Sequence, residues 1–118
     1  MDFGRYWQDC IGQDREALRS WFWPDARIIW PCTEEVFTVE EFLIANCEYP
    51  GSWTDELLNV TTTPMGAVTE VRISSADGKY SCHAVSIFTL YKGKIASLTE
   101  YYADDGPPPQ WRTAIFNK

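Results

Sequence analysis

Residues 79–103, KYSCHAVSIFTLYKGKIASLTEYYA, hold two runs rich in β-branched and aromatic residues, joined at Lys92-Gly93. Two such runs separated by a Gly-containing pair predict a tight β-hairpin. The turn sets a register in which Tyr91 faces Lys94. Counting back along both runs places Ile87 opposite Leu98, Val85 opposite Glu100 and His83 opposite Tyr102. Upstream, Asp77-Gly78 works in the same way on the run 67–75. It pairs Ala76 with Lys79 and brings Arg72 opposite His83 and Glu70 opposite Val85. With a side-chain period of two, one face of the sheet is expected to carry Val71, Ile73, Cys82, Ala84, Phe88, Leu90, Ile95 and Tyr101, and is plainly apolar. The other face mixes Arg72, His83, Glu100 and Tyr102 with Val85, Ile87 and Leu98. Such a mixed face is either the wall of a pocket or an ordinary solvated surface, whose cross-strand pairs contribute under about 1 kcal/mol each.

Helical signals precede this meander, to which Leu57–Thr63 adds a further strand. Phe3, Tyr6, Trp7, Cys10 and Ile11 repeat at the spacing of an amphipathic helix that Gly12 ends. Asp14 is placed to cap a second helix, whose apolar stripe Ala17, Leu18, Trp21 and Phe22 runs up to a stop at Pro24-Asp25. A short strand is expected over 26–30, closed by Pro31. Thr38-Val39-Glu40-Glu41 is a capping box, opening a third helix that reaches about Cys47 and turns Phe42, Leu43 and Ala45 inward. Prolines 107–109 predict an extended tail up to Trp111. The order of helix, helix, strand, helix and then four strands defines an α+β class.

The chain has 118 residues, a length that suits one domain with a real core, and 45% of them are hydrophobic. Acidic residues number 17 against 10 basic ones, giving a net charge of -7. A surface of that sign repels phosphate backbones and anionic lipid heads, which argues against nucleic acid or a membrane as partner. No apolar run approaches the roughly 18 residues of a membrane span, and the first ten residues lack a basic start followed by an apolar stretch. A cytoplasmic location is therefore expected. Cys10, Cys32, Cys47 and Cys82 are scattered, and His83 is the lone histidine. That spacing predicts buried free thiols and no metal site. No cofactor motif is present.

Among candidate functional residues, His83 is the side chain whose ordinary pKa lies nearest neutrality. The register makes Glu100 its diagonal neighbour, so the two could abstract and return a proton. Trp30, Tyr49, Trp53, Tyr102 and Trp111 fall near strand ends and loops, where the mouth of a cavity for a flat, apolar small molecule would lie. Core packing or subunit contact is the other use for these rings, and for Trp111 the favoured one. Asn46, ending the third helix, can offer its amide to a ligand or cap the helix. Asp104 is a turn former or an acid at the rim.

The segments DREALRSWFWPDARIIWP (14–31), FTVEEFLIAN (37–46), HAVSIFTLYKGKI (83–95) and EYYADDG (100–106), followed by Trp111-Arg112, resemble the SnoaL-like and ketosteroid isomerase-like branch of the nuclear transport factor 2 superfamily. The resemblance implies a curved, mostly antiparallel sheet wrapped around three helices as a cone, with a cavity against its inward face and homodimers formed through the sheet. It implies that the last strand supplies pocket residues at alternate positions, here Leu98, Glu100 and Tyr102. It also implies cofactor-free proton transfer as in isomerases, cyclases and dehydratases, with Tyr6 at the position of the isomerase tyrosine. The positions of the isomerase base and acid fall on Trp30 and near Ile87, so a steroid isomerase's full set is missing.

Overall fold

The computed structural model describes residues 1–116. Helix α1 (Phe3–Ile11) is capped by Asp2, whose carboxylate accepts from the backbone N–H of Arg5, and buries Tyr6, Trp7 and Cys10. Asp14 caps α2 (Arg15–Arg19) through the N–H of Ala17. The second helix is shorter than the apolar stripe suggests. Ser20 turns its hydroxyl back onto the carbonyl of Ala17, and Phe22 already belongs to strand β1 (Phe22–Trp30). Pro24 is tolerated inside that strand because the pairing of β1 with the last strand is interrupted between Phe22 and Arg27.

A single 3-10 turn over Pro31–Thr33, closed by Glu34 in the left-handed conformation, reverses the chain into β2 (Glu35–Thr38), a short edge strand with no distinct mark in the sequence. Helix α3 (Val39–Cys47) begins on the capping box, with both reciprocal hydrogen bonds of Thr38 and Glu41 formed. The meander follows as β3 (Trp53–Thr63), β4 (Gly66–Ser75), β5 (Ser81–Tyr91) and β6 (Lys94–Asp104). A final helix, α4 (Gln110–Phe116), comes after the proline tract. The six strands form one sheet in the order β2-β1-β6-β5-β4-β3, parallel between β1 and β6 and antiparallel elsewhere. This is the expected α+β architecture. Gly66 is needed where it stands, since a Cβ there would lie 2.0 Å from the carbonyl oxygen of Phe88 on β5.

Helices α1 and α3 cover one face of the sheet. Tyr6, Trp7, Phe22, Ile28, Phe42, Val71, Phe88, Ile95 and Leu98 make the core between them. The β4–β5 register is as expected, with Arg72 opposite His83 and Glu70 opposite Val85. The β5–β6 register starts as expected, with Tyr91 opposite Lys94 and Leu90 opposite Ile95, across a turn in which Lys92 and Gly93 both have positive φ.

It then slips. Thr89 pairs with Ser97, so Ala96 is an extra residue, and from there Phe88 faces Leu98, Ser86 faces Glu100 and Ala84 faces Tyr102. One inserted residue reverses every later side chain of β6. Leu98, Glu100 and Tyr102 therefore share the inner, helix-covered face with Ala84, Ser86 and Phe88. Tyr101 goes outside with His83, Val85 and Ile87.

Candidate functional site

Glu100 is brought to the inner face by the Ala96 bulge and is 1% exposed. Three donors converge on its carboxyl. Ser86 Oγ donates to Oε2 at 2.6 Å, Trp30 Nε1 donates to Oε1 at 3.1 Å, and the Tyr102 hydroxyl donates to Oε1 at 3.3 Å. Burial pushes the Glu100 carboxyl above the usual carboxylate range, and the three hydrogen bonds only partly counter it. The Tyr102 hydroxyl is held protonated by desolvation and by the nearby carboxyl.

A cavity of about 310 Å³ opens at the end of the sheet where β1 and β6 finish and β3 and β5 begin. Trp30 and Tyr102 wall it on the Glu100 side, Tyr49, Trp53 and Tyr80 on another, and Cys10 and Asn46 join it from α1 and α3. The rings stand at steep angles. Trp30 meets Tyr102 at 70° and 5.7 Å, and Trp53 meets Tyr80 at 87° and 5.7 Å. Asn46 is braced from both sides. Its Nδ2 donates to the carbonyl of Cys10 at 2.8 Å, its Oδ1 accepts from the Cys10 thiol, and Gln13 Nε2 donates to the carbonyls of both Asn46 and Tyr49. Its amide therefore ties α1 to α3.

Of the residues singled out in the sequence, Trp30, Asn46, Tyr49, Trp53 and Tyr102 line this cavity, and Glu100 lies directly behind Trp30 and Tyr102. Leu98 is fully buried in the core. Tyr6 is also fully buried, edge-on to Trp7 and Phe88. Its hydroxyl lies beside the Cys10 thiol, and desolvation raises it well above its ordinary value.

The pairing of His83 with Glu100 is overturned, because the bulge leaves them on opposite faces. On the outer face His83 Nδ1 is hydrogen-bonded to Asp105, which also accepts from Ser81 Oγ at 2.6 Å. His83, Arg72 and Asp104 line a separate, open, polar concavity. Val85 and Ile87 are exposed on that face, outside the cone. Trp111 projects from α4 and is 62% exposed, so it joins neither cavity nor core. The thiols of Cys10 and Cys82 are buried, whereas Cys32 is exposed.

Ser86, Tyr80 and Asp55 were not singled out in the sequence. Tyr80 sits in the turn region before β5, lines both concavities and donates its hydroxyl to Asp104. Asp55 is half-buried on β3, where desolvation raises its carboxyl. Ser86 carried a faint signal, being the polar residue on the otherwise apolar inward face of β5, with Cys82, Ala84, Phe88 and Leu90.

No protein-family model matches the sequence, and no curated protein does. Solved structures do match its shape. An NTF-2 like protein of unknown function from Burkholderia xenovorans LB400 superposes with a TM-score of 0.79 at 23% identity, over 95% of this chain and 88% of that one. A putative ketosteroid isomerase from Kribbella flavida DSM 17836 gives 0.79 at 22% identity, over 95% and 82%. A protein of ketosteroid isomerase-like fold from Catenulispora acidiphila DSM 44928, in complex with trimethylamine, gives 0.71 at 12% identity, over 86% and 85%. With its open six-stranded mixed sheet closed over by α1 and α3, the chain has the nuclear transport factor 2-like fold.

Proposed function

We propose that the chain handles a small molecule in its cone and moves a proton on it without a cofactor, as an isomerase, cyclase or dehydratase of the SnoaL-like kind does. The observation that carries this reading is the buried carboxyl of Glu100, bonded to two residues, Trp30 and Tyr102, that also face the cavity. An acid or base works best when its pKa lies near the working pH, and burial moves Glu100 in that direction. Tyr102 is the group placed to touch the ligand. As its oxygen takes a proton from a ligand carbon, its own proton passes to Glu100, and the reverse transfer returns one to the ligand at a second position. Glu100 acts through Tyr102 and is a positioning and proton-storing residue. The cavity volume is at the low end for ligand pockets, so the substrate is compact. Trimethylamine, held by a protein of the same fold, is on that scale.

Exchange of α-protons on small ketones in D2O, followed by proton NMR, tests this without knowledge of the natural substrate. Wild-type protein should accelerate exchange, and Glu100→Gln and Tyr102→Phe should abolish the acceleration. Ligands that bind with no exchange above buffer would instead support a binding module. That second reading is favoured by one observation: all three donors to Glu100 come from the protein itself.

The outer face supports self-association. Val85, Ile87 and Tyr101 present 39%, 43% and 43% of their surface to solvent on adjacent strands, an apolar patch that a second copy would cover. Light scattering should give twice the chain mass, and Ile87→Glu should halve it.

A further inference from the structure

The five aromatic side chains around the cone's cavity stand in a setting of one charge sign. Among the described residues, none of those lining it is Lys, Arg or His. Three carboxyl groups are attached to its wall without lining it. Glu100 lies behind Trp30 and Tyr102, Asp104 holds the Tyr80 hydroxyl, and Asp55 follows two residues after Trp53 on the same face of β3. Among the described residues, ion pairs to a basic side chain are confined to Glu16, Glu40, Glu48, Glu56 and Asp105, and most carboxyl groups of the chain have none. Among the described residues, Glu100, Asp104 and Asp55 have no such partner.

We propose that the ligand of this cavity carries a compact organic cation, a substituted ammonium group, seated among Tyr49, Trp53 and Tyr80. The inference rests on the small-molecule reading of the cavity and names its ligand class. Ring geometry is the first support. Tyr49 and Trp53 are 5.5 Å apart and inclined at 58°, and Trp53 and Tyr80 are 5.7 Å apart and nearly perpendicular. Rings so inclined cannot all stack on one flat ligand, but lining the cavity from different angles they can meet a rounded group with whichever face is open to it. Each face is the negative part of the ring quadrupole, which attracts a cation. The hydroxyls are the second support. Tyr80 donates to Asp104 and Tyr102 to Glu100, and donation to a carboxylate polarises the phenol and leaves more electron density on the ring. The third is Coulombic. No base lines the cavity to pair with an anionic ligand, while a cation would have the Glu100 carboxyl close behind the Trp30–Tyr102 wall and is drawn in by a protein of net charge -7.

The test compares two probes of nearly equal shape, choline and 3,3-dimethylbutan-1-ol, which differ in having a quaternary nitrogen or a quaternary carbon. Binding is followed by tryptophan fluorescence and by calorimetry on the full chain. Choline is expected to bind about tenfold tighter or more, as befits a partly desolvated cation on aromatic faces. Trp53→Leu should bring the two affinities close together by weakening choline alone. Equal affinities in the wild type, or an equal loss of both probes in Trp53→Leu, would overturn the cation assignment and leave the small-molecule cavity standing. If neither probe binds to folded protein, the cavity reading falls and this inference falls with it.

Discussion

Ser86 stands directly across from Glu100 on the neighbouring strand, and its Oγ donates to Oε2 at 2.6 Å. The pair exists only because Ala96 is bulged out of the ladder seen from β5. Without that extra residue, Ser86 would face a different partner and Glu100 would point to solvent. The contact therefore joins a backbone irregularity to the chemistry of the cone, and it fixes the carboxyl from one side while Trp30 and Tyr102 hold it from the other.

Glu100→Gln keeps the size of the side chain and removes the ionisation. The folded protein holds the Glu100 proton more tightly than the unfolded chain, where the ordinary value is 4.5. Its contribution to stability is thus fully present below about pH 4.5 and is lost as pH rises through the raised folded value. Thermal midpoints measured across pH should coincide for the two proteins in acid and separate toward neutrality, with the Gln variant the more stable. Parallel curves over the whole range would mean that Glu100 has an ordinary pKa.

Ser86→Ala acts in the opposite sense on the same group. Loss of a hydroxyl that donates to the carboxylate raises the Glu100 pKa further and leaves the ionised form one hydrogen bond short, at a cost of about 1–2 kcal/mol. The deficit should be larger near pH 8 than near pH 4, and carbon-13 NMR of the Glu100 carboxyl should show its midpoint displaced upward. An unchanged midpoint would remove Ser86 from the cluster.

Much of the architecture could be read from residues that act locally. The Lys92-Gly93 and Asp77-Gly78 turns, the capping box at Thr38 and the caps at Asp14 and Gly12 all draw on their immediate neighbours, and all appear in the structure. Four of the cavity's aromatic residues, Trp30, Tyr49, Trp53 and Tyr102, were legible because strand ends and loops gather at one end of such a fold, whereas Tyr80, in a turn, was not. What could not be read was the slip at Ala96. Alanine brings no special backbone preference to a strand, and nothing near it resembles a glycine bulge. That one residue moved Glu100 from the company of His83 to that of Trp30, 70 positions away in the chain. The shortness of α2 was hidden for a related reason, since Trp21 and Phe22 suit the end of a helix as well as the start of a strand.

Deleting Ala96 tests the role of the bulge directly. A regular hairpin from the Lys92-Gly93 turn would place Leu98, Glu100 and Tyr102 on the outer face and bring Tyr101 into the core. Leu98 is fully buried, and its loss from the interior alone costs about 3 kcal/mol or more. The deletion variant should therefore fail to give a cooperative thermal transition, whereas Ala96→Ser, which keeps the residue count, should melt close to wild type. A folded deletion variant with intact near-ultraviolet dichroism would show that the strand can re-register without the bulge.

His83→Ala provides the contrast with Glu100. The imidazole lies on the outer face, bonded to Asp105, and that carboxyl is held below its ordinary value by Ser81 first and His83 second. Asp105 thus contributes stability above its ordinary value of 3.8, which is lost as pH falls through the depressed folded value. Removing His83 weakens the smaller of those two interactions and touches nothing that lines the cone. Ketone exchange and choline affinity should both stay within about twofold of wild type, and the only shift should be a small loss of thermal midpoint. A loss of exchange comparable to that of Glu100→Gln would place the chemistry in the outer concavity, with His83 as its base, and would displace Tyr102 and Glu100 from the reaction.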